Sequence, residues 1–428
     1  MSERSVDDFR SRARAWLEQN APRRGDGDNE PGGPGRADIA AQQAFQARLY
    51  DAGFAGITWP SEYGGQGLTN AEQIAFGEAA RDFALPVGAF VIGLGMPGPT
   101  ILELGTEEQK KRYLPKLLRG EEIWCQLFSE PSAGSDVASL TTTAVQVKGD
   151  GEAGREWVLN GQKVWTSGAQ YSDYGAVIAR TDPTVPKHNG ITMFIVDMHA
   201  PGVTVRPLKV ATGATPFNEV FFDQVRLPAD SVIGEVNDGW RAAVVMLRNE
   251  RVAIGTMAAP RTSPLSYDSL SGLAARLGSG ADPGLRRKLA ELYVRERSVR
   301  LFGRLLREEA MAGRDPGPRG SVAKLAGAEL GTFASLVAAD VLGPAAAASD
   351  REDVREVLNA MLSAPGSSIA GGTNEIQRNI IGERVLGLPK DPGVDRSTPF
   401  NQLRVGTLRR VEGGKVGSDR RTGDGADT

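Results

Sequence analysis

The chain has 428 residues, with 50 basic and 53 acidic side chains and a formal net charge of -3. A chain of this length is expected to form two or three packed units rather than one small core. Its balanced charge, without a long run of one sign, argues against a nucleic-acid partner and against a polybasic membrane surface.

Composition also limits the cellular compartment and the kinds of catalytic group that the chain can use. The single cysteine, Cys125, excludes an intramolecular disulfide, and the N-terminal MSERSVDDFR lacks the apolar core of a signal peptide. Apolar runs such as residues 84–94 are too short and too broken by Gly and Pro to span a membrane. We therefore expect a soluble cytoplasmic protein. Because His188 and His199 are the only histidines, proton chemistry should fall to carboxylates rather than to metal sites or His-dependent triads.

The residues before about 122 have the periodicity of helices. Helices are predicted over residues 6–19 and 38–52, and the Gly/Pro/Asp-rich stretch 23–35 between them is expected to be a mobile loop. Thr106 and Gln109 have the spacing of a capping box, which predicts that another helix begins there.

One segment of this region matches the G-x-G-x-x-G pattern of dinucleotide-binding turns, at residues 93–98. That fingerprint needs a preceding strand and a helix that opens within it. Pro97 and Pro99 interrupt the segment, and no alternation of strands and helices follows. A turn between helices is therefore favoured.

From about Trp124 the pattern changes to short β-branched runs separated by turns, which is typical of a small β-barrel or sandwich. The predicted strands are residues 141–148, 156–159, 163–166, 190–197, 203–210 and 219–227. Asn160 and Gly161 lie between two of these runs as a two-residue hairpin signal.

The helical period returns after Pro228. Helices are predicted over residues 239–257, 283–312, 320–342, 351–361 and 373–385, with a linker at 263–280. The tail from Lys390 is charged and Gly-rich, and we expect it to be loosely ordered. The predicted fold is α+β, with an N-terminal helical domain (1–122), a β-barrel domain (123–235), a C-terminal helical bundle (236–392) and a flexible tail (393–428).

Residues 127–136, Leu-Phe-Ser-Glu-Pro-Ser-Ala-Gly-Ser-Asp, form a dense run of loop residues just before the β region. Their backbone N–H groups and the hydroxyls of Ser129 and Ser135 could satisfy the oxygens of a planar ring or a phosphate. Taken alone, the run would favour an ordinary Ser/Gly loop. Residues 160–168, Asn-Gly-Gln-Lys-Val-Trp-Thr-Ser-Gly, add an aromatic face and further hydroxyls.

Together these segments resemble the T-E-P-x-A-G-S-D and N-G-x-K-x-W-I-T-N signatures of the acyl-CoA dehydrogenases. Residues 369–384 resemble the C-terminal G-T-x-x-I-Q signature of the same family. The resemblance extends over about residues 40–392 and includes 59–65 and 218–228. Three separated motifs in the family's order make it specific.

The resemblance implies a helical domain, a β-barrel and a four-helix C-terminal bundle, with FAD between barrel and bundle at a subunit interface. Ser129 would hold the pyrimidine edge of the flavin, Trp165 would pack beside the isoalloxazine, and Ser167 would hydrogen-bond near N5. The implied cofactor-binding residues are Leu127, Phe128, Ser129, Gly134, Ser135, Trp165, Thr166, Ser167, Thr373, Asn374 and Glu375. Ser135 and Arg251 would bind substrate. Without the resemblance, Trp165 on a strand would more often be core.

The family's reaction needs a strong base, because an α-proton beside a thioester is only weakly acidic. A desolvated carboxylate fits, since burial raises its pKa. Many members carry this Glu immediately before the G-T of the last signature, where this chain has Gly371. Isovaleryl- and long-chain-type members carry it on the first C-terminal helix in an L-x-x-E-R-like pattern, which residues 247–251 match.

Glu250 is therefore the candidate base. Its helical neighbours, Met246, Leu247, Ala253 and Ile254, are all apolar. The alternative is a buried structural Glu paired with a distant Arg.

Two signatures of homotetrameric members are missing from the C-terminal domain. Residues 283–292 replace R-x-x-F-G and residues 340–344 replace Q-x-x-G-G-x-G, segments that normally reach the FAD diphosphate of a neighbouring subunit. Their loss resembles actinobacterial members that act on steroid side chains, some of which are mixed tetramers. The resemblance thus implies either a homo-oligomer or an α₂β₂ assembly with a paralogous subunit.

The implied function is FAD-dependent dehydrogenation of an acyl-CoA or acyl-carrier thioester to the trans-2-enoyl thioester. Glu250 would abstract the α-proton, flavin N5 would accept the β-hydride, and electron-transfer flavoprotein would be the acceptor. Two alternatives stay open: a flavin monooxygenase or oxidase on the same scaffold, and a non-catalytic partner subunit of a mixed dehydrogenase.

Overall fold

The computed structural model describes residues 3–23, 36–148, 154–256, 263–311, 314, 317–390, 397–403, 408–410 and 416–418. In this part of the chain a helical region is followed by a sheet and then by a second helical region. The predicted α+β order of helices, β-domain and helices is confirmed. Residues 24–35, which include nearly all of the predicted mobile loop, lie outside the described residues.

The N-terminal region is built from helices, as predicted. They are α1 (Glu3–Asn20), α2 (Arg36–Asp51), α3 (Asn70–Ala79), α4 (Val91–Gly95), α5 (Pro97–Leu104) and α6 (Glu107–Arg119). The capping box that opens α6 is confirmed: the Thr106 hydroxyl accepts from Gln109 N at 3.2 Å, and Gln109 Oε1 accepts from Thr106 N at 3.1 Å. These two bonds satisfy N–H groups that the first helical turn leaves without a partner.

The G-x-G-x-x-G segment is a break between two helices, as predicted. α4 ends at Gly95 and α5 begins at Pro97. A Cβ added at Gly98 would lie 2.5 Å from Trp59 Cη2, and one at Gly93 would lie 2.7 Å from Leu117 Cδ1. The glycines therefore allow these helices to pack closely.

The central region is an eight-stranded mixed sheet. Its strands are β1 (Trp124–Leu127), β2 (Thr143–Val147), β3 (Glu156–Ser167), β4 (Tyr174–Arg180), β5 (Ile191–Asp197), β6 (Val203–Leu208), β7 (Phe217–Pro228) and β8 (Val232–Ile233). The order is β6-β7-β3-β2-β4-β5-β8, with β1 parallel to β4. β2 meets β4 at the pair Thr143 and Arg180.

The two halves of this sheet fold onto one core. Trp157 of β3 packs against Phe194 of β5 with ring centroids 5.2 Å apart. Leu127 and Val177 of one half belong to the same buried cluster as Leu159 of the other. This fits the small β-barrel or sandwich that the sequence predicts.

The hairpin predicted at Asn160-Gly161 is wrong, because β3 runs through both residues. The register of β3 on β7 shifts between Leu159 and Gly161, and Asn160 Oδ1 accepts from Gln224 N at 2.8 Å. Gly161 has φ 148°, and a Cβ there would lie 2.4 Å from Thr142 Oγ1. The Asn-Gly pair therefore forms a bulge in a long strand, which uses the same conformational freedom as a turn.

The C-terminal region is a helical bundle around α10. Its helices are α7 (Gly239–Thr256), α8 (Tyr267–Leu277), α9 (Pro283–Met311), α10 (Gly320–Leu342), α11 (Ala345–Ala348), α12 (Glu352–Ser367) and α13 (Asn374–Ile380), and a π-helical turn (Ile381–Val385) follows α13. Among the described residues, Gly317–Leu342 is long and apolar enough to cross a membrane, with a mean hydropathy of 1.5. It packs against α8, α9, α12 and α13, as the core helix of a bundle does.

The linker predicted over 263–280 is wrong, because α8 occupies most of it. The Ser266 hydroxyl caps α8 by accepting from Ser269 N at 3.2 Å. Leu270 and Leu273 of α8 are buried against the bundle. Serine and glycine in the segment obscured an apolar spacing that was present all along.

The loosely ordered tail was also predicted wrongly for residues 397–403. Phe400 is fully buried, and its N–H donates to Val185 O at 2.9 Å. Further along, β9 (Leu408–Arg410) pairs antiparallel with β10 (Val416–Ser418). The rest of the tail beyond Lys390 lies outside the described residues.

Candidate active site

The first two motifs form one structural unit. Phe128 and Ser129 follow β1, and Lys163 and Val164 lie in β3. Lys163 Nζ donates to Phe128 O at 3.0 Å and pairs with Glu130 Oε1 at 2.9 Å. Val164 N donates to Ser129 O at 2.9 Å. The loop of residues 128–136 is thus bonded to the strand that carries Trp165.

The Glu130–Lys163 ion pair is almost completely buried. Burial raises the pKa of Glu130, but the Lys163 ammonium and donors from Thr141 and Thr142 outweigh it and bring that pKa to about 2. Burial lowers the pKa of Lys163, and the Glu130 carboxylate opposes this. Because three bonds from Thr141 and Thr142 add to the ion pair, Glu130 is firmly ionised at neutral pH.

The role of this pair was not predicted from the sequence, although Glu130 belongs to the first motif and Lys163 to the second. The available signal was one acidic and one basic residue in two motifs that are both expected to bind the same cofactor. Their contacts leave the Glu130 carboxylate committed to holding the loop, so it is not a candidate base.

Trp165 presents its indole to solvent from a strained backbone. Its φ is 61°, in the left-handed region, and the register of β3 on β7 shifts between Lys163 and Thr166. The side chain is 60% exposed, and its ring meets Phe217 edge-on at 5.9 Å. A bulky residue with positive φ is uncommon and costly, and such strain concentrates at functional sites. Trp165 therefore lies at the surface and not in the core.

This strain gives a direct stability prediction. Trp165→Gly should be more stable than Trp165→Ala by about 1 kcal/mol, because glycine adopts positive φ without the Cβ penalty. Both variants lose the ring contact with Phe217, so their difference isolates the backbone. Urea unfolding followed by circular dichroism measures it. A more stable alanine variant would show that no strain is stored at this position.

Thr166, next to the exposed indole, carries a buried hydroxyl. Its Oγ1 has no hydrogen-bond partner among the described residues. Its carbonyl accepts from Asn218 Nδ2 at 3.0 Å. A buried hydroxyl without a protein partner is uncommon, and an ordered water or a bound group would complete its hydrogen bonding. Ser167 follows, half-buried, at the end of β3.

The third motif is a tight turn between α12 and α13. Gly371 and Gly372 have φ 65° and 86°, which glycine adopts without strain. Gln377 Nε2 donates to their carbonyls at 2.9 and 3.1 Å, and Lys324 Nζ donates to Gly372 O at 2.6 Å. Thr373 then caps α13. The spacing G-G-T-x-x-I-Q is explained by these contacts, because the glutamine reaches back to the glycine carbonyls.

The remaining residues of this motif face outward. Glu375 is exposed and pairs loosely with Arg378 at 3.5 Å. Asn374 is half-buried, with its Oδ1 3.4 Å from Lys324 Nζ. In the first motif, Gly134 and Ser135 are likewise exposed.

Glu250 lies half-buried in the second half of α7, which contacts α5, β5 and α10. Met246, one turn earlier on the same helix face, is fully buried in a cluster that also contains Phe128 of the first motif. Arg248 ties the helix to α5 through Glu103 at 2.5 Å. Glu250 is also engaged in a hydrogen bond or another electrostatic interaction within the structure. Arg251 follows it in α7, and its side chain lies outside the described residues.

The predicted site residues thus fall into two groups. The residues from Leu127 to Ser135 and those from Trp165 to Ser167 are brought together by the bonds between loop and strand. Thr373, Asn374, Glu375 and Glu250 lie on helices of the C-terminal region. α10 contacts both α7 and α13 and so connects them. The shared cluster of Phe128 and Met246 joins the first group to the helix of Glu250.

Comparison with known proteins assigns the family. The family models described as acyl-CoA dehydrogenase N-terminal, middle and C-terminal domain match residues 5–121, 125–225 and 237–386. The acyl-CoA dehydrogenase IpdE1 of Mycolicibacterium smegmatis is 38% identical over 393 residues, covering 90% of this chain and 98% of the relative. FadE34 of Mycobacterium tuberculosis is 41% identical over 83% of this chain and 48% of its own length.

Solved structures agree. The Tcur3481-Tcur3483 steroid ACAD superposes with a TM-score of 0.73 at 30% identity, covering 91% of this chain and 99% of the other. The ChsE4-ChsE5 complex from Mycobacterium tuberculosis gives 0.69 at 29% identity with the same coverage. With all three domain models matched in order, this chain belongs to the acyl-CoA dehydrogenase family, and it is a flavin-dependent oxidoreductase similar to the actinobacterial steroid-side-chain members.

Proposed function

We propose that this chain converts an acyl-CoA or acyl-carrier thioester to its trans-2-enoyl thioester with FAD as the cofactor. The observation that carries the proposal is the exposed, strained Trp165 beside the loop of residues 128–136. A strained aromatic side chain next to a donor-rich loop fits a planar cofactor ring.

The described residues fit FAD in chemistry. The Thr166 hydroxyl, buried without a protein partner, would gain one from the cofactor. The hydroxyls of Ser129 and Ser167, both half-buried, would bond the polar edge of the ring system. Thr373, Asn374 and Glu375 would meet the ribityl and diphosphate region. Bound FAD would supply the two-electron acceptor for the hydrogen that leaves the β-carbon.

Glu250 is the proposed base, and it would take the α-proton. Substrate bound beside this half-buried carboxylate would displace water from it. Loss of water raises the pKa of a carboxylate and strengthens it as a base. Ser135 and Arg251 are proposed to bind the substrate. Electron-transfer flavoprotein is the proposed acceptor, and the cytoplasm is the proposed location.

A bulky acyl group, such as a steroid side chain, is the proposed substrate class. The support is similarity to a structure described as a steroid ACAD, 30% identical over 91% of this chain. A panel of steroid side-chain, branched and straight-chain CoA thioesters tests this class. The largest kcat/KM on a straight-chain thioester would contradict it.

The proposed assembly is α₂β₂ with a paralogous subunit. Residues 283–292 and 340–344 replace the diphosphate signatures, and an exposed ion pair joins them. Lys288 Nζ lies 2.6 Å from Asp340 Oδ2. The described bundle helices also expose large apolar side chains, among them Leu301, Leu336 and Leu362. A second subunit packed on the bundle would cover these side chains. The steroid ACAD and the ChsE4-ChsE5 complex are each named as a pair of proteins.

The assembly prediction concerns FAD retention. Expressed alone, the chain should keep FAD poorly, because each diphosphate partner that is missing costs about 1–3 kcal/mol. Coexpression with the paralogue should restore one FAD per proposed site by mass action. Size-exclusion chromatography with light scattering, together with flavin absorbance per subunit, measures both quantities. A fully active homotetramer saturated with FAD would rule out the mixed assembly as a requirement.

A further inference from the structure

The tail segment 397–403 packs onto the β-domain beside the end of β4. Phe400 N donates to Val185 O at 2.9 Å, and Asn401 N donates to Pro183 O at 2.9 Å. Pro399 forms a bridge with Pro186. The Phe400 side chain is fully buried, although the surrounding sequence is polar. The segment is therefore an integral part of the folded domain.

Phe400 covers the guanidinium of Arg180. The Arg180 Cζ lies 3.9 Å from the centroid of the Phe400 ring, and Arg180 is 2% exposed. Its Nη2 donates to Ala138 O at 2.6 Å and lies 3.4 Å from Leu140 O, while its Nη1 donates to Lys187 O at 2.5 Å. An aromatic face stabilises a cation, and more strongly where water is excluded.

These bonds reach the loop that carries the first motif. Ala138 and Leu140 lie directly after it, and Lys187 Nζ also pairs with Asp136 at 2.8 Å. Glu130, at the start of the loop, accepts from Thr141 N at 2.7 Å and so ties the two ends of the loop together. The exposed Gly134 and Ser135 therefore lie between Glu130 on one side and a far end held by both Glu130 and Arg180 on the other.

We propose that residues 397–403 form a strap that positions the loop of residues 128–136 through Arg180. Phe400 excludes water from the guanidinium, which keeps the donors of Arg180 on the carbonyls of Ala138 and Leu140, just after the loop. Without the ring, water competes for those donors and the loop loses one of the anchors at its far end. Phe400 and Arg180 are then positioning residues. Their contribution to cofactor and substrate binding rests on the function proposed above. Their effect on the position of the loop is independent of that function.

Two truncations and two point variants test the strap. Truncation after Leu403 keeps Phe400, and truncation after residue 396 removes it. Phe400→Ala removes the ring within the full chain, and Phe400→Leu keeps an apolar side chain without an aromatic face. Hydrogen exchange by mass spectrometry is measured for peptides covering residues 128–142, with the buried strand β5 as the internal reference.

Loss of the strap should speed exchange over residues 128–142 by about 10-fold or more, because local opening becomes easier, while β5 stays protected. This result is expected for Phe400→Ala and for truncation after residue 396. Truncation after Leu403 should match the full chain, and Phe400→Leu should fall between. Unchanged exchange over 128–142 after Phe400 is removed would overturn the proposal. Equal loss of protection in β5 would also overturn it, since the tail would then stabilise the whole domain.

Flavin content, measured in the same samples with the paralogous subunit present, separates the strap from the proposed function. Variants with faster exchange should retain about 5- to 10-fold less flavin, as expected when a binding loop is no longer preorganised. Faster exchange with no flavin in any sample, the full chain included, would contradict the proposed cofactor but support the strap. Faster exchange with full flavin retention would overturn the positioning role.

Discussion

Glu250→Gln is expected to keep its flavin and bind thioester, yet to reduce flavin at least ~10³-fold more slowly than the unmodified chain. The amide has almost the same shape as the carboxylate but cannot accept the α-proton. Glu250 is half-buried in the second half of α7, one turn beyond the buried Met246, so the substitution should disturb packing little. Anaerobic stopped-flow absorbance with an acyl-CoA measures the rate.

A matched control separates the loss of the catalytic base from a general effect of removing one negative charge. Glu18→Gln removes an exposed carboxylate of α1 that pairs with Arg14, and it should leave the reduction rate unchanged. Near-normal reduction in Glu250→Gln would assign the proton transfer to another group. Loss of both flavin and thioester binding in that variant would instead support the structural alternative for Glu250.

Lys163→Met is expected to destabilise the protein by about 3–5 kcal/mol, because it leaves the carboxylate of Glu130 buried without its cation. Glu130 is 4% exposed and Lys163 is fully buried, so water cannot replace the ammonium. The double variant Glu130→Gln with Lys163→Met should recover much of this loss. Urea unfolding of the unmodified chain, the two single variants and the double variant completes a double-mutant cycle. A single variant as stable as the unmodified chain would show that the pair does not hold the two motifs together.

The same pair predicts an acid dependence. The folded pKa of Glu130 is about 2, below the usual value of a free Glu at about 4.3. The stabilisation from Glu130, about 3 kcal/mol from this shift, is therefore complete above about pH 5 and is lost as the pH falls toward 2. Stability curves measured between these values should have a smaller slope in the double variant than in the unmodified chain.

The sequence predicted regular elements well where a local pattern specified them. The bounds of α10 were predicted to the residue, and the capping box of Thr106 and Gln109 formed as expected. Three errors share a physical cause. The bulge at Asn160-Gly161, the helix α8 and the buried Phe400 each depend on a distant partner, namely Gln224, the bundle core and Arg180. Tertiary contacts decide such segments, and composition alone favoured turns and loops.

Part of the candidate site was predictable from its motifs, because loop residues and the aromatic stood at recognisable spacings. The sequence did not predict the strain at Trp165 or the bonding of the two motifs through Lys163. Both follow from the register of β3 on β7 and from burial. Such features need the folded partner strand.

The central claim is that this chain oxidises an acyl thioester through a bound flavin. The most direct test mixes the purified, flavin-loaded chain anaerobically with a panel of bulky and straight-chain acyl-CoA thioesters. The chain is measured alone and together with the proposed paralogous subunit. Loss of the oxidised-flavin absorbance with at least one thioester, together with formation of the 2-enoyl thioester by mass spectrometry, is the predicted result. A flavin that stays oxidised with every thioester would contradict the claim.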